Sequence, residues 1–142
     1  MESTRQLAIF FGFKSDQITP FDFIKLTRKG ITASLLKKLI NRVHINQEDF
    51  ANYSGIKNRT LSRRFEETGE KLTPEETEKA IRLARIFFES VDVFGDEEKA
   101  STWLKRSNRA LNDEVPLSLL DSDIGAEQVM DVLGRIREGV YS

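Results

Sequence analysis

The sequence predicts an all-α chain: an N-terminal helix-turn-helix bundle followed by a second helical region. Three observations carry this expectation. Apolar residues recur at steps of three and four in several segments. Those segments open on Thr, Asn or Asp, twice with Pro directly after, and several close on Gly. No run alternates with period two for long enough to make a sheet, and there is no internal repeat or low-complexity tract. The 142 residues suffice for one ordinary domain or two small ones. Charge divides the chain unevenly. Residues 1–72 hold 13 Lys and Arg against 8 Asp and Glu, a net of +5; residues 73–142 hold 9 against 15, a net of −6. Two regions, 1–72 and 73–142, with two different partners are therefore expected.

Residues 1–18 form a flanking segment. The apolar run Leu7–Phe13 is far shorter than the roughly 20 residues that cross a bilayer. One basic residue precedes it and no small-residue cleavage site follows, so it is expected to pack on the core rather than act as a signal peptide. Thr19 and Pro20 open a helix as N-cap and first helical residue, with Phe21, Ile24 and Leu26 as its apolar side and Gly30 as its stop. Thr32 opens the next, with Leu35, Leu36, Leu39, Ile40 and Val43 in a broad stripe. Asn46 caps the segment Gln47–Tyr53. Thr73-Pro74-Glu75-Glu76 is a capping box with Pro at the first helical position. The helix it opens is apolar around Ala80, Ala84, Phe87, Val91 and Phe94, and again at Ile81, Leu83 and Phe88. That face is wider than one packing partner needs, so Leu83, Phe87 and Phe88 are expected to meet a second subunit. Asp96 caps a helix containing Trp103 and Leu104. A connector, 107–116, and a short helical turn at 117–120 lead to a last helix starting near Asp121–Asp123 and ending at Gly139.

Much chemistry is excluded. Cysteine is absent and His44 is the single histidine. There is no thiolate nucleophile, no Ser/His/Asp set with a credible base and no phosphate-cradling Gly-rich loop, so the chain is not expected to be an enzyme or to carry a cofactor or metal. Asp121-Ser-Asp123-Ile-Gly125 only faintly suggests a calcium loop: its Gly falls one place early, and Val132 stands where the bidentate Glu belongs. Helix capping explains these aspartates. His44 reads as a helix-end residue. The absence of cysteine fits a cytoplasmic protein.

The stretch Gly55-Ile-Lys-Asn-Arg-Thr-Leu-Ser-Arg-Arg-Phe65 carries four basic residues and no acidic one. Ala51 at a helix crossing, Gly55 at a sharp turn, and Ile56, Leu61 and Phe65 docking a second helix give helix-turn-helix spacing, with that helix opening at Thr60-Leu61. With Leu61 and Phe65 inward, Asn58, Arg59, Ser62 and Arg63 face out. Arg can fork onto guanine and Asn onto adenine, each good pair giving about 1–3 kcal/mol of discrimination. Lys57, Thr60 and Arg64 suit phosphates. One such unit binds weakly, so a dimer on two half-sites of an operator is expected.

The order of features from residue 47 to the end resembles the Xre/MbcA/ParS-like antitoxins. The resemblance rests on Thr60-Leu-Ser-Arg-Arg64, Lys71-Leu-Thr-Pro-Glu75, Arg82-Leu-Ala-Arg85 and Val93-Phe-Gly95. It continues through Ala100, Trp103-Leu104, Asn108-Arg-Ala-Leu111, Pro116-Leu117, Gly125, Val129, Leu133, Arg135-Ile136 and Gly139-Val140. It implies an Xre-like DNA-binding part, then a helical toxin-binding part, in a bacterial type II toxin–antitoxin system. It further implies a homodimer that binds a RES-domain toxin, a consumer of NAD, and represses its own operon. Carried onto this chain, the residues that would occlude the toxin's active site are Glu138, Gly139, Val140, Tyr141 and Ser142, supported by Asn108 and Arg109. Taken without the resemblance, the same tail reads as an ordinary chain end. A stand-alone helix-turn-helix transcription regulator with a C-terminal sensor or protein-interaction domain is the alternative from another class.

Overall fold

The computed structural model describes residues 2–14, 18–67 and 69–139. In chain order its α-helices are α1 (Glu2–Phe10), α2 (Pro20–Lys29), α3 (Ala33–Val43), α4 (Gln47–Ser54), α5 (Asn58–Glu66), α6 (Pro74–Phe94), α7 (Glu97–Lys105) and α8 (Asp123–Arg137). Two 3-10 turns, Arg109–Leu111 and Pro116–Asp121, lie between α7 and α8. The described residues hold no strand beyond isolated bridges, one of which pairs Thr32 with Lys71. The capping signals work as chemistry requires. Thr32 accepts from the Leu35 N–H at 3.1 Å, Asn46 from Asp49 at 2.7 Å, and Thr73 and Glu76 close a reciprocal box. At the start of α8 the cap is Ser122, whose hydroxyl accepts from Gly125 at 3.0 Å. Asp123 instead pairs with Arg82 across on α6.

The 21-residue α6 is the spine. It packs against α1, α2 and α3 on the N-terminal side and against α7, α8 and the turn Pro116–Asp121 on the other. The apolar face of α6 is wide because it serves all of these at once. Leu83 and Phe87 have no exposed surface and Phe88 has 2%. Phe10 from α1 lies 5.9 Å from the Phe88 ring, and the Arg42 guanidinium of α3 lies 5.0 Å over it. The expected dimer contact through Leu83, Phe87 and Phe88 is therefore corrected: these side chains are the chain's own core, and a second subunit cannot reach them.

A further correction concerns a face. The core side of α2 is Phe23, Leu26 and Thr27, whereas Phe21 and Ile24 point away and are 70% and 41% exposed. Trp103 is half-buried against Phe94 at 5.5 Å, while its neighbour Leu104 is fully buried. The segment before α2 packs as expected, with Leu7, Ala8 and Phe11 buried against the core. Among the described residues no helix is long and apolar enough to cross a membrane.

Candidate functional site

The basic stretch is built on α4 and α5. Gly55 ends α4 with φ of 76°, a left-handed turn that glycine makes without strain, and its N–H bonds back to Ala51 at 2.9 Å. The Ser54 hydroxyl then accepts from the Ile56 N–H at 3.1 Å, which tightens the turn. Ile56 and Leu61 are buried and Phe65 is half-buried, so α5 docks on its apolar side as the spacing predicts. The underside of α4 is pinned to α6: Tyr53 donates its hydroxyl to the Lys79 carbonyl, and the Lys79 ammonium donates to the Ser54 carbonyl. Burial holds the Tyr53 hydroxyl well above its ordinary pKa, with Arg82 opposing.

The second helix begins at Asn58, two residues before the expected Thr60. Lys57 is an extended N-cap with no side-chain cap bond. Asn58, Arg59, Ser62 and Arg63 are exposed on one surface, with Lys57 beside them and Thr60 half-buried. Arg64 departs from expectation. Its guanidinium reaches Glu70 at 2.8 Å and Glu76 at 3.2 Å, and its side chain is only 14% exposed. Its Nε and the Glu70 Oε2 are buried without a hydrogen-bond partner among the described residues. Two carboxylates hold Arg64 inward, so it is a structural cation rather than a phosphate ligand. Beyond it, Glu70 raises the pKa of the exposed Glu67 carboxyl, first by hydrogen bonding and then by charge repulsion.

Gln47 is the residue that sequence reasoning missed. From the first position of α4 its amide nitrogen donates to the Asn58 side-chain oxygen at 2.7 Å and to the Ser62 hydroxyl at 2.8 Å, with a longer contact of 3.2 Å to the Asn58 carbonyl. It fixes two of the outward polar groups on α5. Its sequence signal was weak: a polar residue just after a helix cap is ordinary.

At the other end, Asn108 caps the 3-10 turn Arg109–Leu111, accepting from Ala110 at 2.9 Å. Its backbone joins Glu114 and Asp113. Its amide is thus used inside the connector, while Arg109 is exposed. That turn packs on α8, which brings the connector and the last helix together. Arg137 ties the last turn of α8 to α6 through Glu89 and, at 2.9 Å, through Asp92. Glu138 and Gly139 follow, both exposed. Val140, Tyr141 and Ser142 lie outside the described residues. Among the described residues no group of three or more His, Cys, Asp or Glu is placed to hold a metal.

An all-helical chain with α4 and α5 joined through a left-handed glycine defines a helix-turn-helix protein. The description "Antitoxin Xre-like helix-turn-helix domain" matches residues 22–85, and "Antitoxin Xre/MbcA/ParS C-terminal toxin-binding domain" matches residues 90–139. An antitoxin Xre of Photorhabdus laumondii is 35% identical over 118 residues, covering 82% of this chain and 79% of that one. An antitoxin Xre of Yersinia enterocolitica is 34% identical over 122 residues, 85% of this chain and 80% of its own length. A Sphingobium protein named Prs ADP-ribosylating antitoxin is 27% identical across 93% of this chain and 89% of its own. The chain belongs to the Xre/MbcA/ParS antitoxin family and is the antitoxin of a toxin–antitoxin system.

Proposed function

We propose that this antitoxin neutralises a RES-domain, NAD-consuming toxin by binding it and placing its own C-terminal end in the active site, and that as a dimer it represses its operon through α5. The chain acts by binding, not by catalysis. One observation carries the reading: the toxin-binding match runs to residue 139, and Arg137 ties the last turn of α8 to Glu89 and Asp92 of α6 just before it. Glu138 supplies a carboxylate and Tyr141 an aromatic ring, groups suited to a nucleotide pocket. Arg109 stands on the connector that packs against the same helix. The name of the Sphingobium relative couples an antitoxin to ADP-ribosylation, a reaction whose donor is NAD, and so supports NAD as the toxin's substrate. Division of labour follows the charge: residues 1–72 meet the operator and residues 73–142 the toxin.

Co-expression with the toxin encoded beside it is the test. Full-length antitoxin should preserve cellular NAD and growth, and a chain ending at Glu138 should still bind the toxin but fail to preserve NAD. Full protection by the shortened chain would refute occlusion by the tail. For DNA, an Arg59/Arg63 double alanine variant should lose retention of the upstream duplex, and wild-type binding should fall steeply with salt. Equal retention by both proteins would remove α5 as the reader.

A further inference from the structure

Lys99 and Arg106 are exposed, and neither side chain reaches a carboxylate or a carbonyl among the described residues. They differ in this from Arg82 and Arg137, which are ion-paired, and from Lys79 and Lys105, which donate to backbone carbonyls. Both cations border one groove of about 570 Å³, which runs along α7 to the start of the connector. Lys99, Trp103 and Arg106 stand at i, i+4 and i+7, so they share one side of α7. Trp103 is half-buried, and Phe94 from the end of α6 meets its ring at 5.5 Å and 43°. The indole N–H has no acceptor among the described residues.

The groove therefore offers an aromatic plane flanked by two cations without partners. Cations alone would take any anion, and an indole alone any apolar group. Together, about one helical turn apart, they fit a planar ring that carries an anionic group. Carboxylates stand at the other end of α7. Asp96 is committed to the helix cap, accepting from the Glu98 N–H at 2.7 Å, which leaves the exposed Glu98 as the open acceptor. A base over Trp103 would have its phosphate at Arg106 and an N–H facing Glu98, with Lys99 adding a second positive charge alongside. The volume lies within the roughly 300–1,000 Å³ of ligand pockets, and stacking on an aromatic side chain accepts every base.

We infer that the groove along α7 binds a nucleoside phosphate, with Trp103 as the stacking plane and Arg106 and Lys99 as the anion contacts. The site stands apart from the toxin and operator readings, and its test uses the chain alone. Trp103 is the single tryptophan, so its fluorescence reports on the groove directly. AMP, ADP-ribose and NAD share the nucleoside phosphate and separate a free mononucleotide from the two larger molecules. At least one of them should quench Trp103 saturably, with a dissociation constant below about 1 mM and a matching heat in calorimetry. Inorganic phosphate at the same concentration should not displace it.

Lys99→Ala with Arg106→Ala should weaken calorimetric binding by about 10-fold or more, and Arg106→Lys should lose less than the pair. Both side chains are exposed, so melting of these variants should match wild type. Trp103→Phe keeps an aromatic plane and should bind within about 5-fold of wild type, whereas Trp103→Ala should lose about 10-fold or more. Arg28→Ala, a cation outside the groove, should change nothing. Absence of saturable binding by all three nucleotides up to about 10 mM would overturn the inference. So would binding indifferent to Lys99→Ala with Arg106→Ala, and so would full displacement by inorganic phosphate, which would leave an anion site only. Loss of toxin capture in that double variant, with no nucleotide bound by wild type, would assign the groove to the toxin and also overturns it.

Discussion

Two glycines of α8 give the packing a test of sign. In an isolated helix, Gly→Ala is stabilising by about 1 kcal/mol. At Gly134 a β-carbon would meet nothing within 4 Å, so that gain should be realised. At Gly125 the same carbon would fall 1.8 Å from the Leu119 carbonyl oxygen and 2.8 Å from its carbon. Ordinary contact begins near 3.4 Å, so the turn Pro116–Asp121 and α8 must part by about 1.6 Å. They enclose Leu120, Val129 and Leu133, none with exposed surface. Overpacking of this kind costs about 1–3 kcal/mol and at times more, against a propensity gain of about 1. A backbone clash this close puts the cost at the upper end, about 3 kcal/mol, so we expect Gly125→Ala to be destabilising by about 2 kcal/mol net, lowering Tm by about 8 °C in a chain of this size, and Gly134→Ala to raise it by about 4 °C. Urea and thermal denaturation of both variants is the assay. A Gly125→Ala protein as stable as wild type, beside a stabilised Gly134→Ala, would refute the close approach of α8 to Leu119.

Three other predictions concern the N-terminal half. Gln47→Ala frees Asn58 and Ser62, and should weaken operator retention by about 5- to 10-fold through lost hydrogen bonds and side-chain order, with the salt slope unchanged because no phosphate-neutralising charge is removed; a changed slope, or no loss at all, contradicts the positioning role. Arg64→Ala strands Glu70 and Glu76 in a partly buried site and should cost about 1–3 kcal/mol in urea denaturation, whereas Arg63→Ala should leave stability within about 0.5 kcal/mol; the reverse ranking would return Arg64 to the surface. Tyr53 titrates above its ordinary value of 10.0 in the fold, so its contribution is intact below that pH and is lost as pH climbs through the folded value. Wild type should therefore lose up to about 1.4 kcal/mol per pH unit above pH 10 from this group, and Tyr53→Phe should be flatter there; parallel curves would exclude the effect.

Helix boundaries were legible in the sequence wherever a local hydrogen bond defines them. Thr32, Asn46 and Thr73 each cap with their own side chains, and Gly55 takes its left-handed angle from local sterics, so neighbours a few residues away suffice to read them. The start of α5 was misplaced by two residues because its N-cap, Lys57, makes no side-chain bond and leaves no signal. The helix-turn-helix spacing and the unequal charge of the two halves were equally visible, since both depend on residue type and order alone.

Which face meets what was decided only by the tertiary structure. The breadth of apolar surface on α6 was correctly seen but wrongly assigned, because periodicity reports that a face is buried and not by whom; five helices of the same chain cover it. Phe21 and Ile24 looked like core by spacing and proved to be surface, and Arg64 looked like a DNA contact until Glu70 and Glu76 were brought to it from 6 and 12 residues away. Sequence by itself determined the side-chain-capped helices from α2 onward and the family, because those rest on short-range stereochemistry and ordered residue types; α1 and the start of α5 carried no such cap and were not read. Burial and the ion pairs that join distant helices depend on contacts between segments far apart in the chain, and only the packed structure supplies them.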